Sequence, residues 1–130
     1  MAMRKRHNIL ISQRRGIILL PDENMHIVLN PMERTLYRLF LSHPEGIAAD
    51  HLRACWQEIS RIYEQESRFD DKPLRDNALE SICSESKKVF YSTVSRIKRK
   101  FVDALGVRGA SPYIIARDKN GSYRTRATLG

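Results

Sequence analysis

The chain reads as an α+β domain made of a leading antiparallel β-sheet, three helices and a closing β-hairpin. Three observations predict it. Short β-branched or leucine-rich runs open the chain, and apolar residues at helical spacing fill its middle. Near the end, Asn120-Gly121 sits between two alternating segments, the strongest short-range hairpin signal.

NILIS (8–12), GIILLP (16–21) and HIVLN (26–30) predict three strands, and the sheet spans 8–30. Turn-forming residues separate them: Gln13-Arg14-Arg15, then DENM at 22–25. Asn30-Pro31-Met32-Glu33 reads as a helix start, with Asn30 as cap, Pro31 at the first helical position and Glu33 three residues past the cap. Leu36, Leu39 and Phe40 then recur at helical spacing, which predicts a helix over 31–43 ending at His43-Pro44-Glu45-Gly46.

A second helix is predicted over 50–66, with Asp50 placed to cap it. Leu52, Cys55, Trp56, Ile59, Ile62 and Tyr63 form its apolar stripe, so Trp56 reads as core. SRFDDKPLRDN (67–77) reads as a loop, followed by a short helical turn at 78–84. The third helix, 85–105, is expected to end at Gly106 in a left-handed cap. The hairpin occupies 113–128. No repeat or linker divides the chain, so 1–130 is read as one domain.

Composition narrows the function classes. The net charge is +8, and it is unevenly spread. Residues 1–44 carry +4, residues 45–85 carry −5 with ten Asp/Glu, and residues 86–130 carry +9 with only two. Such a split suits a polyanion at one face. No apolar run is long enough to cross a bilayer, so no membrane partner is expected and the reading is cytoplasmic. Cys55 and Cys83 stand far apart without C-x-x-C, which reads as two buried free thiols.

Three helices followed by a hairpin make the winged helix-turn-helix arrangement, here with a leading sheet. LNPMERTLYRLFLSHPEG (29–46), TVSRIKRKF (93–101) and GSYR (121–124) are similar, in this order, to phrases of OmpR/PhoB-type response-regulator effector domains. The resemblance implies a DNA-binding domain whose third helix enters the major groove. It also implies RNA polymerase or a separate regulatory protein as a partner, and paired copies on tandem half-sites, a homodimer on DNA. The chain departs from the pattern in its long connection between second and third helices and in a KNGS wing turn. It carries no receiver domain, so phosphorylation control in cis is not expected.

The third helix carries the chemistry. At 100° per residue, Phe90, Val94, Ile97, Phe101 and Leu105 share one narrow sector. Opposite lie Lys88, Ser92, Ser95, Arg96 and Arg99, with Tyr91, Lys98 and Lys100 on the shoulders. Asp103 is the one carboxylate on that side. A helix polar merely for solubility mixes signs, whereas this one repels itself until an anion arrives. The serines keep the face slim enough for a groove about 12 Å wide, and arginine forks read guanine edges. The family's counterpart of Arg96 reads bases. Lysines suit phosphate. Tyr91 is read either as a sugar or thymine-methyl contact or as packed against the wing. Arg117, Lys119 and Arg124 are the expected wing contacts, lying along the minor groove; Tyr123 matches an inward-packing family tyrosine.

No enzyme chemistry is legible. His7, His26, His43 and His51 lack ligand spacing, so no metal site is expected, and no Gly-rich phosphate loop or nucleophile elbow occurs. No catalytic residue and no cofactor is assigned. The leading reading is a double-stranded DNA-binding transcription regulator. The alternative is a winged-helix protein-interaction module that uses its acidic 45–85 region.

Overall fold

The computed structural model describes residues 7–12, 17–67 and 72–129. The basic N-terminus, the expected turn at 13–15, Gly16, and Asp70 and Asp71 of the acidic connection lie outside the described residues.

Alternation builds the leading sheet. β1 (Asn8–Ser12), β2 (Ile17–Leu20) and β3 (Met25–Val28) pair antiparallel, with Leu10 opposite Leu19 and Ile18 opposite Ile27. Ile9, Ile18, Leu20 and Ile27 point into the core, while Leu10, Leu19 and Val28 stand on the outer face. A 3-10 turn (Pro21–Glu23) closed by Asn24 in the left-handed region joins β2 to β3.

Helix α1 (Pro31–Leu41) starts as its sequence predicts. Asn30 Oδ1 accepts from the Glu33 backbone N–H at 2.8 Å, and Glu33 Oε1 accepts from the Asn30 N–H at 2.9 Å, a reciprocal capping box. Leu36, Tyr37, Leu39 and Phe40 are buried. The chain then turns at Gly46 (φ +92), whose missing Cβ admits the Tyr123 carbonyl.

The second predicted helix is two elements. Ala49–Cys55 is 3-10, and only Trp56–Glu66 (α2) is α-helical. Asp50 caps neither; it pairs with Lys87 instead. Trp56 is half-buried, packing against the edge of the core instead of inside it, with the Arg53 guanidinium 5.7 Å from its ring centroid.

Helix α3 (Lys72–Ile82) takes in the later part of the stretch read as loop together with most of the helical turn expected at 78–84, so that among the described residues there are four α-helices where three and a turn are predicted. Pro73 lies in its first turn, where a proline costs nothing. Leu79, Ile82 and Cys83 are buried, anchoring α3 to the body.

Helix α4 (Lys88–Ala110) is two helical segments, the first stopping at Gly106 as predicted. Gly106 breaks it (φ 76, ψ 169) without the ψ of a left-handed cap, and a short helical segment follows to Ala110. Phe90, Val94, Ile97 and Phe101 are buried, as the wheel predicts.

The terminal hairpin is short. β5 (Ala116–Arg117) pairs with β6 (Ser122–Arg124), setting Arg117 opposite Tyr123. Asp118 accepts from the N–H groups of Asn120 (2.8 Å) and Ser122 (3.1 Å), and Gly121 takes φ +85. β4 (Ile47–Ala48) adds a third strand on the other side of β6. The chain then leaves the hairpin: β7 (Thr128–Leu129) runs parallel to β1, so residues 125–128 are not wing as predicted.

The core lies between the leading sheet and the helices. The rings of Phe101 and Tyr113 stack at 5.7 Å, and Tyr37 lies 5.4 Å from Phe101. The Tyr37 hydroxyl donates to the Tyr113 carbonyl at 2.6 Å, which also accepts from Thr125 Oγ1 at 2.9 Å. Burial raises the Tyr37 phenol well above its ordinary pKa. Among the described residues no helix is long and apolar enough to cross a membrane.

Candidate nucleic-acid interface

Burial of Phe90, Ile97 and Phe101 fixes the rotation of α4 and turns the opposite sector outward. Lys88, Tyr91, Ser92, Ser95, Arg96, Lys98 and Arg99 are all exposed. Among the described residues no ion pair engages Lys88, Arg96, Lys98 or Arg99. The first turn of α4 holds no carboxylate. Cationic side chains at a helix N-terminus oppose the macrodipole, so this end is electrostatically unsatisfied.

The outward sector is not uniform. Arg99 and Lys88 project from its middle. Arg96 lies on the flank nearer α3, at a groove of about 320 Å³ that Ala78, Ser81, Val89 and Thr93 also line. Tyr91 lies on the other flank. Its ring sits 5.6 Å from Phe90 and 6.2 Å from Tyr123, while Tyr123 meets Phe90 edge-on at 5.1 Å. These three rings seat the hairpin against α4, each aromatic pair contributing about 0.5–1.5 kcal/mol beyond area. Tyr91 therefore packs on the hairpin and keeps 45% of its surface exposed. Tyr123 is half-buried.

Two predicted contacts are altered by their neighbours. Lys100 is not free for phosphate: its Nζ binds Glu33 Oε1, the carboxylate of the α1 capping box. Glu33 is 2% exposed, and a buried carboxylate requires a cation. Ser92 Oγ donates to the Val89 carbonyl at 3.1 Å, so it offers the outside acceptors only.

The hairpin brings Arg117, Lys119, Arg124 and Arg126 around a hollow of about 510 Å³, with Asn120 at its rim. Arg117, Lys119 and Arg124 are exposed. Arg124 Nε stands 3.9 Å from Asp118 Oδ2, close enough to orient it without binding it fully.

Five of the ten acidic residues at 45–85 pair within the chain. Glu66 receives Arg34 Nε at 2.6 Å and Arg38 at 3.0 Å, clamping α1 to α2. Glu80 pairs with Arg53 at 2.5 Å and Asp50 with Lys87. His43 bridges Glu45 (Nδ1, 3.0 Å) and Glu58 (Nε2, 2.8 Å), and the Glu58 hydrogen bond chiefly raises the imidazole pKa. Beside them lies Cys55; the donor atoms of His43, Cys55 and Glu58 all fall within 4.8 Å of one another. Linear spacing hides this group, because a chain reversal at Gly46 brings the end of α1 to the start of α2. Burial raises the thiols of both Cys55 and Cys83, and both are free. Cys55 is only half-buried, unlike its sequence reading.

Comparison with family models, with curated proteins and with solved structures found no match.

Proposed function

We propose that this protein is a winged helix-turn-helix regulator of transcription that binds double-stranded DNA. In this reading α4 enters the major groove and the β5–β6 hairpin lies along the minor groove. The carrying observation is the outward sector of α4, cationic, slim and unpaired from Lys88 to Arg99. Exposed lysines gain little by crowding unless an anion binds there.

Lys88 and Lys98 serve as phosphate contacts, while Arg99 and Arg96 have the planar fork for guanine. Arg117, Lys119 and Arg124 supply the second, minor-groove cluster. No residue is assigned to catalysis. The protein-interaction alternative would draw on Glu64, Asp76 and Glu85, which are exposed and carry no ion pair among the described residues, since Glu45, Asp50, Glu58, Glu66 and Glu80 already have partners within the chain.

The experiment is selection from random duplexes with the wild type, Arg96→Ala and Arg99→Ala. A base reader loses preference at one position, at a cost of about 1–3 kcal/mol, while a backbone contact weakens all sequences alike. Recovery of no enriched sequence by the wild type would refute sequence-specific binding.

A further inference from the structure

Beyond DNA binding, and independently of it, we propose that His43, Cys55 and Glu58 form a binding site for a zinc-class divalent cation. They offer an imidazole nitrogen, a thiol sulfur and a carboxylate oxygen, all within 4.8 Å of one another. That mixed set suits zinc, whose ligand bonds are about 2.0–2.3 Å and whose tetrahedral ligands stand about 3.3–3.7 Å apart. His43 Nε2 and Glu58 Oε2, now 2.8 Å apart, open slightly, and the Cys55 sulfur closes in. All three residues are half-buried, so a water molecule can complete the fourth position.

A second feature prepares the histidine. Its Nδ1 lies 3.0 Å from Glu45 Oε1, and a carboxylate only accepts. Glu45 therefore holds hydrogen on Nδ1 and leaves Nε2 facing Cys55 and Glu58. Carboxylate–histidine pairs of this kind orient metal-bound imidazoles. In the metal-free protein a proton bridges Nε2 and Oε2; a cation takes its place. Binding releases that proton and the Cys55 thiol proton, leaving a thiolate ligand.

The site joins the end of α1 to the start of α2, so an occupied site braces the corner that precedes the acidic connection. Within that connection, helix α3 packs against α4, its Ala78 and Ser81 lining one groove with Val89, Thr93 and Arg96.

The test is titration of the untagged, full-length protein with Co²⁺ under a non-thiol reductant, followed by displacement with Zn²⁺. The expected result is one Co²⁺ per chain, with tetrahedral visible absorption and a near-ultraviolet thiolate-to-cobalt band. Cys55→Ser removes that band, Glu58→Gln weakens binding at least tenfold, and Glu45→Gln weakens it by about 10–100-fold. Glu58 and Glu45 reach solvent, so these two variants keep the test decisive if Cys55→Ser does not fold. Absence of stoichiometric uptake, uptake without a thiolate band, or a band surviving in Cys55→Ser would overturn the site.

Discussion

Replacing Lys100 with methionine separates two accounts of one side chain. Its position on α4 suggests phosphate, yet its Nζ lies on Glu33, a carboxylate only 2% exposed. Removing one partner of a buried pair costs about 3–5 kcal/mol, because the other charge stays buried. Here two features lower that figure. Glu33 keeps the Asn30 N–H at 2.9 Å, and the Lys100 side chain is 39% exposed. The expected loss is therefore about 2–3 kcal/mol. With a urea slope near 2 kcal/mol per M, the midpoint falls by about 1–1.5 M. The assay is urea unfolding followed by circular dichroism, paired with duplex binding of the folded variant at several salt concentrations. The salt slope should match the wild type, whereas Lys98→Met should reduce it by about 0.9. Unchanged stability with a reduced slope in Lys100→Met would refute the tie to Glu33.

Three further outcomes are expected. Glu66→Gln removes the negative charge that lies 2.6 Å from the Nε of buried Arg34 and should cost about 2–4 kcal/mol in urea unfolding. Gly46→Ala forces a side chain into φ +92, with its Cβ 3.0 Å from the Tyr123 carbonyl; about 1–3 kcal/mol and faster amide exchange in the β4–β6 pair should follow. Burial pushes the Tyr113 phenol up to about 12, from an ordinary value near 10. The neutral phenol is favoured in the folded state, so its contribution is complete below pH 10 and is lost as pH rises from about 10 to 12. Ultraviolet titration of wild type and Tyr113→Phe should show one phenol ionising in that late window, missing from the variant.

Local signals were the legible ones. The capping box at Asn30–Glu33, the apolar sector of α4 and the Asp118–Gly121 turn each depend on residues within a few positions of one another. Helix α3 was hidden because Pro73 resembles a breaker, although in a first helical turn it breaks nothing. β4 and β7 are two residues long, and their partners β6 and β1 lie far away in sequence, so no periodicity could announce them. The exposed cations of α4 followed from helix geometry alone. The diversion of Lys100 to Glu33 did not, since the burial of Glu33 is a tertiary fact. The same holds for His43, Cys55 and Glu58, which meet only after the chain reverses at Gly46.

The central claim is that the outward sector of α4, with the hairpin cations beside it, meets the phosphates of duplex DNA. Its most direct test is the affinity of the wild type for a long duplex as salt is raised. Five to seven neutralised phosphates should give a log–log slope of about −4.5 to −6.3. A flat slope, or no duplex binding at low salt, would contradict the account.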